Sequence, residues 1–102
     1  MAFAPRAGVL AGLILLAAPA IATPLSTLQQ NAAQCFSNPA SASCNAVWDL
    51  SHQLKQRAGN AYQLRCYTSL LALEAMVAMA KLGYRDPAEQ AQSLDTTSRE
   101  CR

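Results

Sequence analysis

Apolar positions recur along most of this chain at helical, not strand, intervals. Leu25, Leu28, Ala32 and Cys35 are spaced 3, 4 and 3 apart, which places them on one face of a helix over 24–36. Val47, Leu50, Leu54 and Ala58 form a similar stripe over 41–58, and Cys66, Leu70, Leu73, Val77 and Ala80 form another over 61–82. A narrower stripe, Ala88, Ala91, Leu94 and Cys101 with Ser98 interrupting it, predicts a last helix over 87–100. No β-branched run alternates with period two. The pattern therefore predicts an all-α chain, a small helical bundle of two hairpins.

Turn residues punctuate the same segments. Thr23-Pro24 and Asn38-Pro39 read as helix starts, because proline is tolerated in the first turn and Thr or Asn caps it. Gly83 reads as a stop, followed by Tyr84-Arg85-Asp86-Pro87 leading into the last helix. Gly59-Asn60 reads as a stop and a new cap, with Gln63 completing a capping box. Against that break, Leu54, Ala58, Tyr62, Cys66 and Leu70 continue every four residues, as one long kinked helix would allow. A single helix over 41–82 would be about 60 Å long, more than so short a chain can cover, which favours two helices.

Ahead of the periodic region lies an unbroken apolar run over 8–18, preceded by Arg6 and followed by Ala20-Ile21-Ala22. A basic start, a short apolar core and small residues before a cut are the marks of a secretory signal peptide. Residues 1–22 are read as that signal, with the mature chain, 23–102, a single helical domain starting at Thr23. A cut after Ala20 would instead leave Ile21 at the front. The sixteen residues of 7–22 are too few for a helix that needs about twenty to cross a bilayer. No cysteine follows the run at the cut site to carry a lipid, so the expectation is an exported protein, soluble after cleavage, in a periplasm, a lumen or the medium.

Export gives the four cysteines a meaning, since an even number in a small exported chain argues for disulfides. Pairing Cys35 with Cys44 sets an antiparallel register that also puts Leu25 opposite Leu54 and Ala32 opposite Val47. Pairing Cys66 with Cys101 likewise sets Leu73 opposite Leu94. A Cys44–Cys66 bond in a hairpin turning at 59–60 would have to span roughly 13 Å along a helix, beyond the roughly 7 Å that a disulfide allows between Cα atoms. Closing the two favoured loops contributes roughly 2.7 and 3.8 kcal/mol in the chain-entropy treatment. The Cys35-x8-Cys44 spacing across a helical turn resembles that of twin-cysteine hairpin proteins. The second pair does not share this spacing, so no function is carried over.

Charge adds little. Without Arg6, seven basic side chains face six acidic ones, no basic footprint for nucleic acid exists, and Lys55 with Arg57 reads as a solvated helix face. No C-x-x-C pair occurs and His52 is the only histidine, so Asp49 and His52, three residues apart, lack a third metal ligand. Ser51, His52 and Asp49 point in different directions around a helix and make no relay. Glu74 is the one acid in apolar surroundings, at an edge it shares with Tyr67, Lys81 and Arg85, where a boundary ion pair or contact with solvent is expected. No catalytic residue, metal or cofactor is predicted.

The third helix is different, because Leu64, Leu71, Ala78, Met79 and Leu82 lie nearly opposite its main stripe and make it apolar almost all round. Such a helix is either wrapped by the other three or presents its second face to a partner. Trp48 stands beside the stripe of the second helix, and Phe36 ends the first. Both either close the top of the first hairpin or form an aromatic contact surface. The leading expectation is a non-enzymatic interaction protein that binds another exported protein or itself, as a homodimer, through Leu64, Leu71, Met79, Leu82 and Trp48. The alternative is a membrane-active or toxin-like protein that turns this helix to lipid, and a small enzyme ranks third. N-terminal sequencing of the protein recovered after export should begin at Thr23; a retained Met1 would remove the signal-peptide reading.

Overall fold

The computed structural model describes residues 24–102; the signal peptide read over residues 1–22 and the cut before Thr23 lie outside the described residues. Four helices follow one another: α1 over 24–37, α2 over Ser43–Asn60, α3 over Leu64–Lys81 and α4 over Pro87–Glu100. No strand occurs among the described residues. The chain is an all-α bundle in which α3 packs against α2 on one side and α4 on another, as two hairpins with a central third helix require.

Two disulfides staple the hairpins. Cys35–Cys44 ties the last turn of α1 to the first turn of α2 with Cα atoms 4.8 Å apart. Cys66–Cys101 ties the start of α3 to the end of α4 at 4.7 Å. This is the connectivity expected from the helical register, and no free cysteine remains among the described residues. Two bonded pairs in so small a chain belong to an oxidising environment.

One core joins all three seams. Leu28, Ala32, Cys35 and Phe36 of α1, Cys44, Val47 and Ala58 of α2, and Leu70, Leu73, Met76, Val77 and Ala80 of α3 are buried together. Leu25, Leu50, Leu54, Tyr67 and Leu94 pack against this cluster while partly exposed. On α2 the fully buried position between Val47 and Ala58 is Ser51, where the predicted stripe placed Leu50 and Leu54. At the far end, Arg85 in the α3–α4 loop donates from Nη2 to the Phe36 carbonyl oxygen at 3.2 Å. That contact ties the second hairpin to the C-terminal end of α1, where carbonyls lack helical partners.

The helix boundaries differ from the expected punctuation in two instructive places. Asn38-Pro39 does not start α2. The Ser41 amide donates to the Asn38 carbonyl oxygen at 2.9 Å and the Ala40 amide to Asn38 Oδ1 at 3.3 Å, so these residues form a turn and the helix begins at Ser43 with no side-chain cap. The break between α2 and α3 is real, but Gly59 and Asn60 do not make it. Both stay helical, and the chain reverses at Tyr62, which has φ 57°. The Gln63 amide reaches back to the Ala58 carbonyl oxygen at 2.8 Å and the Tyr62 amide to that of Gly59 at 3.1 Å, the paired bonds of a Schellman C-terminus. Gln63 flanks α3 without a side-chain cap, so the capping box does not form. The same motif closes α3 at Gly83, with φ 96°, Gly83 N–H to Ala80 O and Tyr84 N–H to Met79 O, both at 3.0 Å.

Two equivalent turns thus carry opposite residue choices. Tyr62 holds a left-handed conformation that costs a side-chain-bearing residue roughly 1–2 kcal/mol, and its side chain is 86% exposed and unable to repay this by packing. Tyr62→Gly is therefore expected to stabilise the fold by about 0.5–1 kcal/mol, after allowance for the greater freedom of glycine in the unfolded chain. At Gly83 an added Cβ meets nothing within 4 Å, so Gly83→Ala is expected to destabilise by about 1 kcal/mol through conformation alone. Urea unfolding of the two variants should show midpoints moving in opposite directions.

Candidate functional site

The outward side of α3 is the feature that its sequence singles out. At 100° per residue, Leu64, Leu71 and Leu82 fall within about 40° of one another, with Ala75 and Met79 beside them. Leu64 is 69% exposed, Leu71 43%, Met79 36% and Leu82 87%. Thr68, Ala72 and Ala75, also exposed, complete the same sector, and Ala78 is half-buried at its edge. The opposite sector, from Cys66 through Leu70, Leu73 and Val77 to Ala80, is buried. Over more than a third of its circumference α3 is thus bare, and Arg65 is the only charged side chain in that sector.

The strip is uncovered because α4 packs beside it, along the Ser69 and Met76 side of α3, and does so through a narrow polar face. The stripe predicted for α4 placed Ala88 and Ala91 inward, but both are exposed. The buried residues are Gln90 and Thr97, with Ser93, Leu94 and Cys101 partly buried. Counting back from the tethered Cys101 by 4, 7 and 11 gives Thr97, Leu94 and Gln90, so the disulfide selects this face over the alanines. The resulting seam is polar. Thr97 Oγ1 donates to the Ser93 carbonyl oxygen at 2.9 Å and lies 3.4 Å from that of Ser69, and Ser69 Oγ donates to the Cys66 carbonyl oxygen at 2.8 Å. Gln90 Nε2 and Ser93 Oγ are buried without a partner.

Beside the strip, α3 and α4 enclose a shallow groove of about 440 Å³ between Ser69, Ala72, Ala75 and Met76 on one wall and Glu89, Gln92, Ser93 and Thr96 on the other. Ala72 and Ala75 belong to both strip and groove. Neither alanine was among the expected contact residues; the signal that finds them is their position between Leu71 and Met79 on the same side of the helix.

The remaining candidates separate. Trp48 is 36% exposed, but it stands on α2 and not within the α3 strip. Phe36 is buried in the core, so it offers no exposed aromatic contact. Asp49 and His52 are both exposed, and the His52 ring nitrogen lies 3.4 Å from Gln56 Nε2. Among the described residues no three His, Cys, Asp or Glu side chains gather as a metal would require.

Glu74 and Lys55 form the one interhelical ion pair among the described residues. Lys55 Nζ donates to Glu74 Oε1 at 2.9 Å, with the side chains only 15% and 10% exposed. The ammonium also lies 5.9 Å from the centroid of the Tyr67 ring. Lys55 is therefore not part of a solvated face as its sequence context implied. Its stem crosses the α2–α3 seam, and its charge neutralises the one acid in α3. Both charges thus have a structural role.

Compared with protein-family models, with curated proteins and with solved structures, the chain matches none. The geometry alone carries the functional reading.

Removing one partner of a largely buried pair leaves the other charge uncompensated, which costs more than the pair itself contributes. Glu74→Gln is expected to lower stability by about 1–3 kcal/mol, between the values for exposed and fully buried pairs. The double variant Lys55→Met with Glu74→Leu should recover most of that loss, and a double variant no better than Glu74→Gln alone would contradict this account.

Proposed function

We propose that the protein is an exported, non-enzymatic binding protein that engages another protein through the outer strip of α3. One observation carries the reading: Leu64, Leu71, Met79 and Leu82 are all exposed on a single side of the central helix. Contiguous exposed apolar surface on a small chain marks a contact site more often than isolated apolar residues do. Small residues between the large ones, Ala72 and Ala75, give a partner helix room to approach closely. Export is supported by the signal pattern over residues 1–22 and by two disulfides, which persist in oxidising compartments. No described helix is long and apolar enough to cross a membrane, which suits a strip that works at a surface. Binding is favoured over catalysis because Lys55 and Glu74, the ionisable residues brought together away from solvent, neutralise each other across the α2–α3 seam.

The strip should bind a hydrophobic reporter before any partner is known. Protein secreted with its own leader, disulfides intact, is expected to enhance the fluorescence of anilinonaphthalene sulfonate. The double variant Leu71→Glu with Met79→Glu should lose at least about tenfold in dye affinity while its melting midpoint moves by only a few degrees, since both side chains are substantially exposed. Absence of dye binding by the parent protein, or unchanged binding by the variant, would overturn the reading.

A further inference from the structure

We infer that Cys66–Cys101 is a thiol–disulfide exchange site, opened by an external dithiol so that α4 comes away from α3 while Cys35–Cys44 stays closed. The inference is independent of what binds the strip. It begins from an inequality between the two bonds. Cys35 and Cys44 are both fully buried in the common core, where a thiol reaches them only through unfolding. Cys66 is buried too, but Cys101 is half-buried just past the end of α4. Beside it a shallow cleft of about 260 Å³ opens between Arg65, Thr68 and Ser69 of α3 and Thr96 and Glu100 of α4. Ser69 on the cleft wall has its Oγ 3.9 Å from Cys101 Sγ.

Helix ends decide which sulfur is attacked and which leaves. Cys66 is the third residue of α3, where unpaired amides and the helix dipole favour negative charge. Cys101 caps the C-terminal end of α4, where the dipole disfavours it. Exchange therefore runs in one sense. A thiolate of the dithiol attacks the more accessible Cys101 sulfur and a new S–S bond forms there. The Cys66–Cys101 bond breaks, and Cys66 leaves as a thiolate that takes up a proton from water. The second thiolate of the dithiol then displaces Cys101 from the mixed disulfide, and that sulfur is protonated in turn. Two electrons and two protons pass to the protein, which ends with two thiols, and the dithiol ends as a disulfide.

Little else holds α4. Leu94 is the one large apolar side chain it packs against the core, and Thr97 donates within its own helix to Ser93. Gln90 Nε2 and Ser93 Oγ, buried without partners, gain water when the helix departs. A free helix of 14 residues is marginal in water, so α4 unwinds as it leaves. The loop before it stays tied to α1 through Arg85 and the Phe36 carbonyl oxygen and acts as the hinge. Once α4 is loose, packing no longer presents Cys101 to Cys66, and the bond re-forms only against the entropy of closing that segment. Ser69 and Met76, buried beside α4, are then uncovered next to Ala72 and Ala75, so reduction widens the apolar side of α3. The first hairpin keeps its own disulfide, and α2 keeps the Lys55–Glu74 pair to α3.

Partial reduction of the secreted, disulfide-intact protein tests this. Treated with dithiothreitol without denaturant, trapped with N-ethylmaleimide and mapped by mass spectrometry, Cys66 and Cys101 should be alkylated at least about tenfold faster than Cys35 and Cys44. Equal rates, or earlier loss of Cys35–Cys44, overturn the inference. Direction is read with glutathione in place of dithiothreitol: the mixed disulfide should form on Cys101 with Cys66 free, and a mixed disulfide chiefly on Cys66 overturns the assigned sense of exchange. Hydrogen exchange on the singly reduced protein, kept under dithiothreitol, should show residues 87–100 losing protection while 43–60 and 64–81 retain it. If α4 stays protected after its bond is opened, the release of α4 is overturned.

Discussion

The Cys66–Cys101 bond is the constraint on which the arrangement of this small bundle depends. Left to apolar burial alone, α4 would have little reason to choose a face, since Leu94 is its only large apolar side chain and its alanines lie elsewhere on the circumference. The bond fixes the end of α4 against the start of α3, and helical periodicity then brings Thr97, Leu94 and Gln90 inward. Across the seam so formed the Thr97 hydroxyl lies 3.4 Å from the Ser69 carbonyl oxygen while it donates within α4 to that of Ser93, and the side-chain amide nitrogen of Gln90 and the hydroxyl of Ser93 are buried unpaired. Such a seam contributes little net stability by itself, because each buried polar group left without a partner offsets what a satisfied one gains. Covalent linkage holds a helix that noncovalent contact would hold poorly.

The first hairpin is built differently. α1 contributes Leu28, Ala32 and Phe36 to the common core, and α2 contributes Val47 and Ala58. Its disulfide staples a pair that already has apolar reason to associate. The α2–α3 seam adds the Lys55–Glu74 pair, whose desolvation cost is met in part by the lysine stem crossing apolar surface and by the nearby Tyr67 ring. The two sides of α3 thus differ in chemistry more than in extent, apolar and ion-paired toward α2 and largely polar toward α4. The strip lies on the side that neither helix covers.

Most of the architecture is legible in the order of residues. Four helices, their approximate spans and both cysteine pairs follow from apolar spacing and from the limited reach of a disulfide, because these depend on periodicity that local sequence encodes directly. Two kinds of feature are not. The chain reversal at Tyr62 is hidden because glycine and asparagine are the usual left-handed residues, and Gly59-Asn60 stands only two positions earlier. The turn falls instead at a residue with no intrinsic preference for it. The inward face of α4 escapes a reading by apolar content, because the tether outweighs the alanines and Cys101 alone specifies the face. As for the candidate site, Leu64, Leu71, Met79 and Leu82 are legible as a second apolar face. Ala72 and Ala75 are not, since alanine is as common in a core as outside it and only the placement of α4 decides.

The composition of α4 also bears on why the strip stays bare. A helix that is apolar all round invites complete burial, and four helices could have achieved it if α4 had carried a broad apolar face. It carries Glu89, Gln92, Asp95 and Arg99 over its exposed surface instead, with Asp95 and Arg99 paired at 3.3 Å on the solvent side. An exposed pair of that kind contributes little to stability, so it accounts for solubility of that surface and not for the placement of the helix. Leucines at positions 64, 71 and 82 carry no local burial to justify them, and their neighbours on the strip are small. An exposed apolar line that the other described helices leave uncovered is the surface that the proposed binding role would use.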